Sequence, residues 1–398
     1  MTRFNTLLAT LFVLLALSIT SCEKEPASQI DPPTPGNEQP EPLTESHTLM
    51  IIMQGNNGLA EFMDSNLQRI VTAYYDVPTE IGRILIFYDR GNYTRLTELY
   101  LDDGMAKQRL IEEYPTSTST VDKEFLKSVI ERIKVEAPAD SYGLIMSSHG
   151  GGWVPADLYD VYLLNEDSRA TARPLFYGQD DYDCMEIPDL ADALNQTRFK
   201  YIIFDACFMA NIEGLYDMRN NADYIIASPT EILGAGFPYE SFIPMLFERT
   251  DHQLKEVCEA YMEFYTDSSG TISLIDCRKI DALANVMKDV YHEAKSATLN
   301  ISDMQAYDDF TYHLYFDLGH YATNVASEET LKEFNTALDD VVVYKGHTDT
   351  FFTVTGDEDA NIPINHYSGL SCYILQADDC PNTAKAWQAT AWAKATTK

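Results

Sequence analysis

The chain is poor in positive charge. Its 398 residues include 28 Lys and Arg against 62 Asp and Glu, which gives a formal net charge of −34 at pH 7. A surface this acidic repels phosphate backbones, so we expect no nucleic acid partner, whereas positively charged peptides are attracted to it. The hydrophobic fraction of 45% is ordinary for a globular protein. The sequence therefore predicts a folded protein that encounters positively charged peptides more readily than nucleic acids.

The apolar run near the N-terminus is too short to cross a membrane. It extends over 13 residues, from Leu7 to Ile19, whereas a bilayer span needs about 20. With Arg3 before it, the run is typical of an export signal. The ending Ile19-Thr20-Ser21-Cys22 resembles a bacterial lipobox, which implies that Cys22 carries a lipid. An ordinary cleaved signal with an incidental Cys is the alternative.

Residues 22–46 are rich in Pro and acidic side chains and have almost no large apolar ones. Such a segment cannot bury enough surface to fold, so we expect a semi-extended tether. The acidic residues directly after Cys22 resemble the surface-export signal of Bacteroides-type lipoproteins. We therefore expect an exported outer-membrane lipoprotein, anchored to the membrane by its lipid. Exposure on the cell surface and retention on the periplasmic leaflet are both left open.

Cysteine is sparse. None of the seven Cys forms a CxxC pair, which excludes zinc knuckles and thioredoxin-like motifs. So few Cys in so long a chain do not make a disulfide scaffold. Cys372 and Cys380 could pair, and the alternative for each is a small buried apolar residue.

Apolar stretches of strand length alternate with helical patterns from residue 47 onward, which is typical of an α/β fold with a mainly parallel sheet flanked by helices. The predicted strands are Thr48–Met53, Arg83–Tyr88, Tyr142–Ser147, Lys200–Phe204, Tyr224–Ala227, Ile272–Ile275 and Leu370–Leu375. The predicted helices include Leu59–Tyr74, Asp122–Ala137, Ile187–Gln196 and Gln253–Tyr265. Residues 153–186 are predicted to be one long loop.

Two predicted strands end in reactive side chains. His149, with three glycines after it, follows one strand, and Cys207 follows another. Because parallel strands carry their sites at their carboxyl ends, adjacent strands would bring this pair together. A Cys attacks an amide carbonyl as a thiolate while a nearby His moves the proton. Each residue alone is more often structural, a packed His or a buried thiol, but their equivalent positions favour a catalytic pair.

The two strand ends also carry a family resemblance. The motifs are His149-Gly150-Gly151-Gly152-Trp153 and Phe204-Asp205-Ala206-Cys207-Phe208-Met209, with weaker matches at 227–231, 236–239, 275–276 and 369–371. In order and spacing they are similar to the clostripain-like cysteine peptidases over about residues 47–375. The resemblance implies a caspase-like sandwich. The expected division is a signal peptide (1–21), a tether (22–46), a catalytic core (47–250) and a C-terminal mixed part that completes the core (251–398).

The resemblance implies roles for individual residues. His149 would be the general acid and base and Cys207 the nucleophile of a dyad that cleaves after Arg or Lys. The N–H groups of Gly150 and Cys207 would form the oxyanion hole. Asp205 would belong to the S1 pocket, where a carboxylate selects a basic side chain; helix capping is its alternative. Glu231 lies in a segment that would form another S1 wall.

Further expectations concern processing and cofactors. Family members are often zymogens cleaved between the His and the Cys, so Arg169 and Arg173 are candidate processing sites; ordinary surface charges are the alternative. Some members use calcium, and the acidic surface is compatible with weak calcium binding. The stretch Asp357–Asn361 is similar to the start of an EF-hand, but Ile362 stands where that motif needs Gly. We expect no obligatory cofactor, no catalytic metal, and a monomer.

Other functions fit less well. The tetrad from His149 to Gly152 is similar to the HGGG motif of lipases, but the chain has no Gly-x-Ser-x-Gly elbow. His292-Glu293 lacks the second His of a zincin helix. A catalytically silent surface lipoprotein that binds peptides through a caspase-like fold is the remaining alternative. Loss of the His or the Cys would favour it, and both are present.

Overall fold

The apolar runs of the sequence form the centre of a nine-stranded sheet. The computed structural model describes residues 45–155, 177–181, 183–248, 252–354, 361–376 and 380–397. Its strands are β1 (His47–Gln54), β2 (Gly82–Asp89), β3 (Thr94–Asp102), β4 (Met105–Tyr114), β5 (Ser141–Ser147), β6 (Tyr177–Asp180), β7 (Asp183–Met185), β8 (Phe199–Asp205), β9 (Ala222–Ala227), β10 (Thr271–Asp276), β11 (Phe316–Asp317), β12 (Val342–His347), β13 (Thr350–Phe352), β14 (Asn361–Pro363) and β15 (Ser371–Cys372).

The main sheet has the strand order β12-β10-β9-β8-β5-β1-β2-β3-β4. Strands β9, β8, β5, β1 and β2 pair in parallel. The outer strands on both sides pair antiparallel. The predicted α/β fold with a mainly parallel sheet is confirmed, and β5 and β8 are neighbours in it.

Helices cover both faces of the sheet. They are α1 (Ala60–Ala73), α2 (Lys123–Glu136), α3 (Ile187–Ala193), α4 (Ile212–Met218), α5 (Tyr239–Met245), α6 (Gln253–Phe264), α7 (Ile280–Ala294), α8 (Leu318–Val325), α9 (Glu328–Val341), α10 (Pro381–Ala389) and α11 (Ala391–Thr396), with short 3₁₀ turns at Tyr74–Asp76, Cys277–Lys279 and Ile301–Asp303. One apolar cluster contains side chains of α1, α5 and α6, and a second contains side chains of the other helices. The architecture is therefore a three-layer sandwich.

The composition of the central strands explains the two helical layers. In β1, Leu49 and Ile51 belong to one apolar cluster, and Met50 and Ile52 belong to the other. All four are fully buried. Burial of each such side chain stabilises the fold by about 1.5–3 kcal/mol. A strand that is apolar on both faces therefore requires helices on both sides of its sheet.

The strand predicted at Leu370–Leu375 is much shorter in the structure and lies outside the main sheet. A two-residue strand, β15, forms there and pairs with β11 outside the main sheet. The N–H of Ser371 donates to the carbonyl of Ala210, and the N–H of Tyr373 donates to the carboxylate of Glu213. The backbone of this run therefore bonds to the start of α4 instead of to a central strand.

Sequence patterns missed the outer strands. The hairpin of β3 and β4 and the edge strand β12 mix polar with apolar residues, and β4 has no buried residue. A search for apolar runs detects strands that are covered on both faces and overlooks exposed edges. The loop prediction for residues 153–186 is wrong at its end, because residues 177–185 contain the β6–β7 hairpin.

The C-terminal residues pack with the rest of the fold. Residues from 45 onward form one compact unit, and Trp387 and Trp392 are buried in the same cluster as Leu126 of α2. Within the described ranges, no helix has both the length and the apolar character that a membrane span requires.

Candidate active site

The ends of β5 and β8 bring His149 and Cys207 to one edge of the sheet. Ser147 pairs with Asp205 in the parallel register, and the N–H of Ser148 donates to the Asp205 carbonyl at 3.4 Å. His149 and Cys207 each lie two residues beyond this pair. Both line a cavity of about 430 Å³. The expected meeting of the two strand ends is therefore present.

Strand β6, near the C-terminal end of the 153–186 region, holds the segment around His149. The N–H of Gly178 in β6 donates to the His149 carbonyl at 2.9 Å. The Ser148 hydroxyl donates to the Gln54 carbonyl at 2.8 Å and accepts from the N–H of Gln179 at 3.1 Å. His149 itself is 5% exposed. These contacts attach the imidazole-bearing turn to β1 on one side and to β6 on the other.

The turn after Cys207 has a strained backbone. Phe208 has a φ of 59°, a left-handed conformation that costs a non-glycine residue about 1–2 kcal/mol. Its N–H donates to the Thr230 carbonyl at 3.0 Å, and its carbonyl accepts from the Asn211 side chain at 2.7 Å. Its ring stacks on that of Tyr315, with centroids 4.4 Å apart. Several contacts therefore enforce the conformation that presents Cys207 to the cavity.

Gly150 allows the two strand ends to approach closely. A Cβ atom at Gly150 would lie 2.6 Å from the Cys207 carbonyl oxygen and 3.1 Å from the Cys207 nitrogen. Any side chain there would push the two segments apart. Gly152 has a φ of +66°, and a Cβ atom there would lie 2.4 Å from the Asn211 amide nitrogen. Gly150 and Gly152 are thus needed for the close approach of this segment to the turn after Cys207.

The thiol of Cys207 faces the backbone of Ile232. The N–H of Ile232 points at the Cys207 Sγ from 3.3 Å, and the Sγ lies 3.8 Å from the Ile232 carbonyl oxygen. Cys207 is partly buried. The segment after β9 therefore supplies a wall of the cavity and a polar contact to the sulfur.

Asp205 places a carboxyl group in the cavity. It is 6% exposed and accepts hydrogen bonds from the hydroxyls of Tyr239 at 2.6 Å and Ser147 at 3.2 Å. Burial raises the pKa of Asp205 to about 6, although these two hydrogen bonds and the charge of Arg69 act in the opposite direction. Within the described part of the chain, its side chain makes no helix-capping contact. The group is a desolvated acid beside the nucleophile.

Glu231 lines the same cavity from the opposite segment. It is 8% exposed. One carboxylate oxygen accepts from the Thr353 hydroxyl at 2.8 Å, and both accept from the N–H of Val354 at 3.1 and 3.2 Å. Glu231 thus contacts a C-terminal segment of the chain directly.

Several residues of this site were missed from the sequence. Tyr239 and Ile232 lie in or beside segments that carried the weaker family matches, so the motif pattern could have drawn attention to them. Arg69 of α1 donates to the Ala235 carbonyl at 3.2 Å and lies near Asp205. No local pattern marks Arg69 or Val354, because each reaches the site through the tertiary fold.

Some predicted sites lie outside the described residues, namely Cys22, Arg169, Arg173 and most of the EF-hand-like stretch. The structure has Cys372 and Cys380 as two buried thiols and not as a disulfide. Among the residues that are described, no group of three or more His, Cys, Asp or Glu side chains is arranged to hold a metal ion.

The fold and the geometry of the site together indicate the class of protein. A His and a Cys at adjacent strand ends, glycines that allow close backbone approach, and a buried acid in one cavity are the components of a cysteine hydrolase. The family comparison agrees: residues 51–390 match the model of the clostripain family, peptidase C11. The chain belongs to this family of cysteine peptidases.

Individual proteins and solved structures of this family are also similar to the chain. Clostripain of Hathewaya histolytica is 25% identical over 227 residues, a match that covers 48% of this chain and 40% of that protein. An inactive zymogen C11 protease from Parabacteroides distasonis has a TM-score of 0.79 and 30% identity, covering 89% of this chain and 99% of that one. A secreted C11 cysteine protease from Bacteroides thetaiotaomicron, in complex with an irreversible peptide inhibitor, has a TM-score of 0.78 and 28% identity over 88% of this chain and 98% of that one.

Proposed function

We propose that this protein is a cysteine endopeptidase that cleaves peptide bonds after Arg or Lys. The observation that carries the proposal is the cavity in which His149, Cys207 and Asp205 converge from two adjacent parallel strands. Membership of the clostripain family supports the reaction class. Relatives of similar fold include a protease that forms a complex with a peptide inhibitor.

The chemistry needs a nucleophile and a proton carrier. The thiolate of Cys207 attacks the scissile carbonyl and forms a tetrahedral oxyanion, which the N–H groups of Gly150 and Cys207 stabilise. His149 protonates the leaving amine as the C–N bond breaks, which leaves an acyl-enzyme. His149 then takes a proton from water, the hydroxide attacks the thioester, and the new acid leaves with Cys207 restored.

The carboxylate of Asp205 selects the P1 side chain. A guanidinium or ammonium group that enters the cavity replaces solvent around a buried acid, and charge-assisted hydrogen bonds favour it over a neutral side chain. Glu231 contributes to another wall of this pocket. The net charge of −34 adds a long-range attraction for basic peptides.

The first test is hydrolysis of fluorogenic peptides with Arg, Lys or Asp at P1 by the full-length protein, with and without calcium. Cleavage after Arg or Lys by the wild type, and its loss in Cys207→Ala, supports the proposal. Cys258→Ala is the matched control, because Cys258 is a fully buried thiol in α6, outside the cavity. Absence of cleavage, even after limited proteolysis of the region 153–186 and removal of the added protease, would favour a peptide-binding lipoprotein.

The N-terminal segment directs export and anchoring in this proposal. Lipidated Cys22 would hold the peptidase at the outer membrane through the tether, and a related C11 protease is secreted. Cell fractionation of Cys22→Ala checks the anchor: the wild type is expected with membranes and the variant in the soluble fraction. The same preparations report cleavage at Arg169 or Arg173 by mass spectrometry, and gel filtration reports whether the protein is a monomer. No cofactor is required, and calcium is an optional ligand.

A further inference from the structure

The two carboxylates of the cavity have different partners. Asp205 accepts hydrogen bonds from the side-chain hydroxyls of Ser147 and Tyr239. Glu231 accepts from the backbone N–H of Val354 and from the hydroxyl of Thr353. Each oxygen of Glu231 already faces a donor on another part of the chain. A basic substrate group would compete with those donors.

The donors belong to a short segment, residues 350–354, which we call the rim segment. Phe352 and Val354 line the cavity, and the N–H of Phe352 donates to the Ser269 hydroxyl at 2.7 Å. Val354 is 55% exposed, so apolar burial does little to hold it. Hydrogen bonds to the buried carboxylate of Glu231 therefore restrain this end of the rim segment.

Glu231 is also close to the nucleophile along the chain. The carbonyl of Thr230 accepts from the N–H of Phe208 at 3.0 Å, and the N–H of Ile232 lies 3.3 Å from the Cys207 sulfur. The two neighbours of Glu231 thus both contact the nucleophile turn. The side chain of Glu231, which lies between these two neighbours, therefore connects the nucleophile turn to the rim segment.

We propose that Glu231 is a positioning residue that holds the rim segment at a set distance from Cys207, while Asp205 carries out charge selection. This inference rests on the proposed peptidase function for its kinetic consequence. The carboxylate acts here as an acceptor for rim donors, a role that the amide oxygen of Gln can also fill. A residue that read substrate charge directly could not be replaced in this way.

Kinetics separate the two roles. The substrates are matched peptides with Arg or citrulline at P1, since citrulline keeps the shape of Arg without its charge. Glu231→Ala is expected to lower kcat/KM for both peptides by the same factor of about tenfold, because the rim donors lose a charged acceptor. Glu231→Gln is expected to stay within about threefold of the wild type. In both variants the Arg to citrulline ratio is unchanged, whereas Asp205→Asn reduces it.

Amide hydrogen exchange tests the contact between Glu231 and the rim segment without any substrate. The amide of Val354 is expected to exchange about tenfold faster in Glu231→Ala and at nearly the wild-type rate in Glu231→Gln. Thr353→Val, which removes the hydroxyl donor alone, is expected to lie between them. Glu131→Ala on the exposed face of α2 is the control and leaves the rate unchanged. This measurement tests whether Glu231 holds the Val354 amide, and it does so even if the wild type cleaves no peptide.

Two results would overturn the proposal. One is a lower Arg to citrulline ratio in Glu231→Gln, which would assign charge selection to Glu231. The other is unchanged Val354 exchange in a folded Glu231→Ala, which would show that the rim segment is held by other contacts.

Discussion

Two buried carboxyl groups flank the nucleophile, one on each side along the chain. Asp205 lies two residues before Cys207 and Glu213 six residues after it, and each is at least nine-tenths buried. Burial raises the pKa of Asp205 to about 6 and that of Glu213 to about 7. The electrostatic cause is the same in both cases, but the surroundings differ. Asp205 faces a cavity, whereas Glu213 is enclosed by protein.

The partners of Glu213 define a structural role. It accepts from the N–H of Tyr373 and from the Trp387 indole, both at 2.9 Å. These bonds attach α4, which follows the nucleophile turn, to the C-terminal residues. The comparison shows that a shifted pKa alone does not identify a functional acid; access to the cavity distinguishes Asp205 from Glu213.

Replacing the cavity acid should have the largest effect. Asp205→Asn is expected to lower kcat/KM for Arg and Lys peptides about 100-fold, because charge-assisted bonds to the guanidinium are lost. Citrulline peptides should be cleaved at nearly the wild-type rate. Steady-state kinetics with paired substrates measure both values. Equal losses for Arg and citrulline would place charge selection elsewhere.

Replacing the enclosed acid should change stability and leave selectivity intact. The pKa of Glu213 is raised from 4.5 to about 7, so its protonated form stabilises the fold fully below pH 4.5, and this contribution is lost as the pH rises through about 7. Relative to Glu213→Gln, the wild type should lose up to about 1.4 kcal/mol of unfolding free energy per pH unit in that window.

Urea unfolding at several pH values checks the Glu213 prediction. Glu131→Gln on the surface of α2 is the control and should follow the wild type. A pH dependence that persists in Glu213→Gln, or an altered Arg to citrulline ratio in that variant, would contradict the assignment of Glu213 to the core.

The selection of a charged P1 side chain by Asp205 should depend on pH. Because burial raises the pKa of Asp205 to about 6, the acid gains a proton as the pH falls through that value. The Arg to citrulline ratio of kcat/KM should therefore fall about tenfold between pH 7 and pH 5. Using the ratio cancels any effect of pH that is common to both substrates. A constant ratio over this range would mean that the carboxylate of Asp205 does not select the charge of the P1 side chain.

The smallest effect is expected for the hydroxyl that supports Asp205. Tyr239→Phe removes a hydrogen bond of 2.6 Å that favours the charged carboxylate. The midpoint of the selectivity profile should move to higher pH, with about a threefold lower Arg to citrulline ratio near pH 6. The same pH series measures the shift, and a move to lower pH would contradict the role of Tyr239.

Residue patterns predicted the centre of the fold better than its edges. The runs around Ile51, Ile145 and Ile203 are apolar on both faces, and such strands are recognisable without knowledge of their neighbours. The hairpin of β3 and β4 lies on the sheet edge with mixed composition, so its pattern carries little signal. The short strand β15 pairs with β11, about 55 residues earlier, and the backbone around it also bonds to Ala210 and Glu213, about 160 residues away, so no local pattern reports its place.

The sequence by itself determined the α/β class, the two strand ends and the types of side chain that follow them. Periodicity and residue chemistry are local, so they can be read along the chain. The tertiary structure alone decided that Asp205 faces the cavity while Glu213 is enclosed, that Glu231 contacts Val354, and that Tyr239 and Arg69 approach Asp205. These contacts join residues far apart in sequence, and their energies depend on burial, which exists only once the sheet and its helices are packed.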